Sequence, residues 1–316
     1  MNTKFIQPFS KISKKDVGLA GGKGASLGEM TQAKIPVPAG YVILSTAFDR
    51  FLAETDLLVE INARLNKVNY KDTNSVDKAS NVIRDLIHDV KFPKDLEIEI
   101  NQEFKKLKTK FVAVRSSATA EDSKTASWAG ELETYLNTTN KTLIKNVKKC
   151  WSSLFTPRAI FYRHEKKLLK SKVSVAVVVQ TMIQSDISGI SFTVHPVTKD
   201  KNQMIIEAGY GLGEAIVSGQ ITPDSYVLDK RDMSILDINL ARQEKMIVKK
   251  SATGDNAWIK VKASQLEAQK LTGKQIIEIG KICRLIEKHY KFACDIEWAF
   301  AKNKFYITQS RPITTL

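Results

Sequence analysis

Cysteine is scarce in these 316 residues: Cys150, Cys283 and Cys294 are odd in number, widely spaced and form no CxxC pair. That excludes a disulfide framework and a cysteine zinc site, and the three read as buried thiols. Histidine is nearly as rare. His88, His164, His195 and His289 lie in unrelated contexts, which argues against a catalytic triad or a histidine metal cluster. No apolar run approaches a membrane span, the longest lying near VAVVV at 175–179, and the N-terminus MNTKFIQPFSK lacks the apolar core of a signal peptide. A cytoplasmic protein without membrane contact is expected. Both common phosphate-loop signatures are missing, since neither GxxxxGK[ST] nor GxGxxG occurs. Acidic residues are also short, at 34 against 49 basic ones, for a net charge of +15. The lysines are spread through segments such as 105–110, 145–149 and 166–172 without aromatic interleaving, so a solvated basic surface is expected and nucleic acid is not.

What is present is the composition of a globular protein, 43% hydrophobic and 26% charged, long enough for one large or two ordinary domains. Residues 47–110 have helical periodicity: Val82, Ile83, Leu86, Ile87 and Val90 share one face, and Leu96, Ile100, Phe104 and Leu107 another after Pro93. A polar connection at 66–75 separates them from what precedes. Residues 143–169 also read as helical, broken at Pro157. The β-branched run at 173–183 predicts a strand buried on both faces. Strands follow at 188–198, 204–228 and across 229–262. Residues 266–290 predict a long amphipathic helix with Leu271, Ile276, Ile279, Ile282, Leu285 and Ile286 inside.

Three stretches carry possible chemistry. In FVAVRSSATAEDSKTASWAGELETY, residues 111–135, a strand feeds a hydroxyl-rich loop and Arg115 stands where strand becomes loop. A guanidinium matches phosphate oxygens with its planar donor fork. The same composition describes a surface loop whose arginine pairs with Glu121 or Asp122. In DVGLAGGKGASLGEM, residues 16–30, glycines surround Lys23 ahead of a helical pattern, which suits either close approach to an anion or a tight turn before a helix. The third is CDIEWAFAKNKFYITQSRPIT, residues 294–314, which reads as a hairpin. A three-residue loop, Lys302 to Lys304, sets Glu297 against Gln309 and Asp295 against Arg311; a two-residue loop sets Glu297 against Thr308. Oxygen ligands opposed on a hairpin, with an arginine beyond, suit Mg²⁺ with phosphates. A surface hairpin with incidental charge has the same sequence.

GGKGASLGEM, VRSSATAEDSKTASWAGELETY, SLFTPRAIFYR, GLGEAIVSGQITPDSY and DIEWAFAKNKFYITQSRPIT, taken in order, resemble the N-terminal nucleotide-binding domain of the phosphoenolpyruvate synthase, pyruvate phosphate dikinase and rifamycin phosphotransferase family. The resemblance runs from about Phe9 to Thr314. It implies an α+β fold of ATP-grasp type, two subdomains closing on a nucleotide, here divided as 1–185 and 186–316. It implies that Lys23 and Arg115 bind the ATP phosphates and that Gly130 and Thr134 line the phosphate-side loop. Gln180, Met182 and Ile183 would border adenine, Glu297 and Gln309 hold Mg²⁺, and Arg311 steady the transferring groups. The expected cofactors are thus ATP and Mg²⁺, with Lys23, Arg115 and Arg311 as the catalytic set.

Family members continue past SRPIT into a mobile domain whose histidine accepts a phosphoryl group, and none of the four histidines here resembles that motif. A histidine phosphocarrier domain, in trans or on a missing remainder, is therefore the expected partner. The leading expectation is an enzyme component, a kinase-like transferase serving phosphoenolpyruvate synthesis from pyruvate. The alternatives are the ATP-binding part of a rifamycin-type antibiotic phosphotransferase and a non-catalytic, regulatory nucleotide-binding module.

Overall fold

The computed structural model describes residues 5–119, 133–168, 174–250 and 255–314. They form an α+β protein of two compact units, one comprising 1–29 and 39–182 and the other 30–38 and 183–316, each with its own sheet. Among the described residues no helix is long and apolar enough to cross a membrane.

In chain order the first part contains β1 (Ile6–Pro8), α1 (Val17–Gln32), β2 (Gly40–Ile43), α2 (Ser45–Glu54), α3 (Leu57–Leu65), α4 (Thr73–Asp89), α5 (Lys94–Lys106), β3 (Val112–Ala118), β4 (Thr134–Thr138), α6 (Leu143–Ser152), α7 (Pro157–Glu165) and β5 (Val175–Thr181). The sheet is antiparallel throughout, in the order β1-β2-β5-β3-β4. Alternation along each strand splits it into two faces. Tyr41, Ile43, Val112, Val114, Val175, Val177 and Val179 point into a core with the apolar stripes of α2 to α7. Phe48, Phe51, Phe92 and Trp151 form its aromatic centre. The periodicity at 82–107 is realised in α4 and α5, with Ile83, Ile87, Leu96, Ile100 and Phe104 buried. Pro157 opens α7 at its first turn, where a missing N–H costs nothing, and Thr156 caps it by accepting from the Ala159 N–H.

One placement differs from the sequence reading. Arg115 is not at the end of a strand but in the middle of β3, which continues through Ser116, Ser117 and Ala118. A strand can carry buried serines when each hydroxyl is bonded. Ser116 Oγ donates to the Glu133 carbonyl at 2.7 Å, and Ser117 Oγ to the Ala20 carbonyl at 2.9 Å.

The second unit adds β6 (Ile187–Phe192), β7 (Gln203–Tyr210), α8 (Glu214–Val217), β8 (Asp224–Asp229), β9 (Ile235–Asn239), β10 (Lys245–Lys249), β11 (Asn256–Lys260), α9 (Gly273–Tyr290), β12 (Cys294–Ala301) and β13 (Lys304–Pro312). Its six-stranded antiparallel sheet runs β13-β12-β6-β7-β8-β9, and β10 pairs with β11 separately. Helix α9 opens on a capping box between Thr272 and Gln275 and buries Ile276, Ile279, Cys283 and Ile286. Leu285, expected inside, is 53% exposed; the buried stripe passes through Cys283 instead. Gly280 of α9 lies where a Cβ would stand 2.7 Å from Leu228 of β8, so helix and sheet approach closely there. Asp224 and Lys270 form an ion pair at 2.7 Å with both side chains fully buried. Asp224 also accepts from the Tyr226 hydroxyl and from the Ala241 and Lys270 N–H groups.

Candidate functional site

The first unit gathers its candidates on the sheet face opposite the helical core. Arg115 pairs in register with Thr134 of β4 on one side and Val178 of β5 on the other. Gln180 lies two residues beyond Val178, opposite Ala113 and Gly40. Residues opposed across antiparallel strands share a face, and so do residues two apart. Arg115, Thr134 and Gln180 therefore look out from one side of three adjacent strands. Arg115 is 9% exposed and Gln180 2%. Among the described residues the Gln180 Nε2 has no hydrogen-bond partner, although a buried amide ordinarily finds one.

Lys23 reaches the same face by way of α1. That helix is interrupted at Gly21, whose φ of 69° and ψ of 172° are outside helical geometry. A side chain there would put Cβ 2.2 Å from Ser117 Oγ, so only glycine permits the approach. Gly24 donates its N–H to Ser117 Oγ at 3.2 Å and sits against Val42 of β2. Lys23 is thus held beside Ser117, two residues from Arg115 on β3. It is the second residue of the helical run after the kink, where the helix dipole disfavours a cation and favours an anion.

Met182 ends the first unit, its N–H bonded to the Phe111 carbonyl at 3.1 Å, and Ile183 starts the longer segment of the second. Gly130 lies outside the described residues.

In the second unit the hairpin β12–β13 turns on two residues, Lys302 and Asn303, both with positive φ, and Ala301 pairs with Lys304. Glu297 nonetheless stands opposite Gln309, because a bulge between Glu297 and Trp298 leaves Thr308 as an extra residue. Gln309 Nε2 donates to Glu297 Oε1 at 3.1 Å. Asp295 faces Arg311, whose Nε and Nη2 grip Asp295 Oδ2 at 2.9 and 2.8 Å. A half-turn of the Gln309 amide exchanges Nε2 for Oε1 and presents two oxygens side by side, the ligand type that Mg²⁺ takes. Among the described residues no group of three or more His, Cys, Asp or Glu could enclose a metal.

The sheet adds a residue that the sequence reading left apart. Glu297 pairs with Ile190 of β6 and Ile190 with Glu207 of β7, so Glu207 shares the face of Glu297 and Gln309. Burial, with the nearby Asp295 charge, pushes the Glu207 carboxyl above the usual range. Asp295 is likewise raised, by burial first, while Arg311 draws it back down. Only the strand order joins Glu207 to a hairpin 90 residues away, and pattern in the chain does not contain that order.

Residues 17–316 match the family model described as pyruvate phosphate dikinase, AMP/ATP-binding domain. Over 99% of its length the chain is 44% identical to a probable phosphoenolpyruvate synthase of Methanocaldococcus jannaschii, spanning 27% of that protein. It is 37% identical over 99% of its length to a rifampicin phosphotransferase of Bacillus subtilis, spanning 36% of it. Among solved structures, a D-alanine–D-alanine ligase of Helicobacter pylori aligns with 65% of this chain and 42% of its own at 14% identity and a TM-score of 0.26, too low to bear on the fold.

Proposed function

Because the chain belongs to the family of pyruvate phosphate dikinase AMP/ATP-binding domains, we propose that it binds ATP with Mg²⁺ and hands a phosphoryl or pyrophosphoryl group to a histidine on a separate domain. The process served is phosphoenolpyruvate formation from pyruvate, a reading supported by several relatives that are named phosphoenolpyruvate synthase or probable phosphoenolpyruvate synthase. The protein acts in the cytoplasm, and its fold is of the ATP-grasp type.

The observation that carries this reading is the shared face of Arg115, Thr134 and Gln180 with the kinked Lys23 turn against it. Lys23 and Arg115 hold the phosphate oxygens, with Thr134 on the same face. Gln180 offers its unpaired amide to the base, beside Met182 and Ile183. Glu297 and Gln309 hold the metal, and Arg311, preset by Asp295, neutralises charge on the group in flight. Bound Mg²⁺ supplies charge neutralisation at the phosphates. Transfer of this kind is mainly positioning and electrostatics, so rigid sheet faces are suitable mounts.

Calorimetry with Mg²⁺-ATP tests the proposal. The wild-type chain should bind, and Arg115→Ala and Glu297→Ala should each weaken binding at least tenfold. A wild-type chain that binds no ATP overturns it. The likeness to rifampicin phosphotransferase supports a second reading, in which the acceptor is an antibiotic. Supplying a phosphocarrier histidine domain with either pyruvate or rifampicin separates the two.

A further inference from the structure

In an uninterrupted α1 the Gly24 N–H would bond to the Ala20 carbonyl four residues back. Both groups bond to one hydroxyl from another element: Ser117 Oγ donates to Ala20 O at 2.9 Å and accepts from Gly24 N at 3.2 Å. The serine of β3 has entered a single rung of the helix ladder, and a group inserted there is a recognised cause of a kink. Gly21 lies inside the opened rung and takes the positive φ, with no Cβ to strike Ser117. Lys23 also lies inside it. Ser117 is fully buried, so the hydroxyl has no competing solvent partner.

We propose that Ser117 is the positioning residue for Lys23, holding its turn open over the β3 face that carries Arg115. The inference rests on the nucleotide reading above and adds a residue that acts through Lys23 without itself touching nucleotide. Its content is directional. Without the hydroxyl, Gly24 N and Ala20 O can close their own rung, α1 straightens through Gly21, and the Lys23 ammonium leaves the face of Arg115. The proposal sets Lys23 at the β- and γ-phosphates, so these contacts are then lost while those that other residues make to the rest of the nucleotide remain.

The test compares full-length wild type, Ser117→Ala, Lys23→Met and the double variant by calorimetry with Mg²⁺-ATP and, separately, AMP. Ser117→Ala should weaken ATP binding about tenfold and leave AMP binding within twofold. In the Lys23→Met background it should add nothing further. A structural role alone would lower the melting temperature and leave the ATP-to-AMP affinity ratio where it was, and an unchanged ratio overturns the proposal. If Ser117→Ala does not fold, Ser117→Cys, which retains a weaker donor in the same place, bears the same comparison. Wild type that fails to bind ATP brings down this inference together with the functional reading. Wild-type binding with an unaltered ratio in the serine variants brings down the inference alone.

Discussion

Glu297 and Gln309 face each other across β12 and β13 only because Thr308 is bulged out of the ladder. A two-residue turn by itself puts Thr308 opposite Glu297; the bulge adds back the one residue that the turn removes. Removing the amide and removing the bulge should therefore have different effects. Gln309→Ala is expected to weaken the Mg²⁺-dependent part of ATP affinity about tenfold, or ~1.4 kcal/mol. Deletion of Thr308 straightens the strand yet leaves Gln309 opposite Glu297, and should retain most of that affinity. Titration of ATP binding against Mg²⁺ concentration reads both.

Lys270→Met should be severely destabilising. It leaves Asp224 buried without its counter-charge, and breaking one side of a buried pair costs about 3–5 kcal/mol. Adding Asp224→Asn should recover part of the loss, because the remaining side chain is neutral. Urea unfolding midpoints of the two variants provide the check.

His88 gives stability a pH dependence of known sign. Burial first, then the Arg84, Lys149 and Lys148 charges, hold its pKa below the ordinary value of 6.5, with Asp85 opposing them. The unfolded chain therefore takes up a proton before the folded one does. The contribution of His88 is complete above about pH 6.5 and is lost as pH falls from there through the depressed folded value. His88→Gln keeps a side chain able to bond Ser152, which His88 meets at 2.8 Å, but cannot titrate. The melting temperature of the variant should fall less than that of wild type between pH 7 and pH 5.

Gly189→Ala should disturb the second sheet at its centre. A Cβ on Gly189 would stand 2.0 Å from the Glu207 carbonyl oxygen and 2.2 Å from the Trp298 ring. Trp298 cannot yield freely, since its Nε1 donates to Ser191 Oγ at 3.0 Å. Overpacking of this kind costs about 1–3 kcal/mol, measurable as a lower denaturant midpoint with an unchanged slope.

Much of the local architecture was legible in the chain. The apolar stripes of α4 and α5 and the two-sided burial of Val175 to Val179 follow from period and composition, and the break at Pro157 from backbone chemistry. What was hidden depends on partners far away in sequence. Arg115 looked like the last residue of a strand because serines usually leave sheets, and nothing local revealed that Glu133 and Ala20 would satisfy them. Leu285 fitted the stripe of α9 as well as Cys283 does; the surface that α9 meets decided between them. The turn length of the last hairpin left Glu297 with two possible partners, and the bulge that resolves them has no signature in ITQSRP. The Lys270–Asp224 pair links residues 46 apart, and the stretch GLGEAIVSGQITPDSY that contains Asp224 gives no sign of its partner.

The three cysteines, finally, have a practical consequence. All are buried, and burial pushes the thiols of Cys283 and Cys294 up to about 12 and that of Cys150 up as well. At neutral pH they stay protonated and out of reach of alkylating reagents. One cysteine introduced at an open position such as Val197, 82% exposed, would then be the single site to react with a maleimide dye. Fluorescent or spin probes can be attached to the natural background as it stands, and modification of that background becomes a direct readout of unfolding.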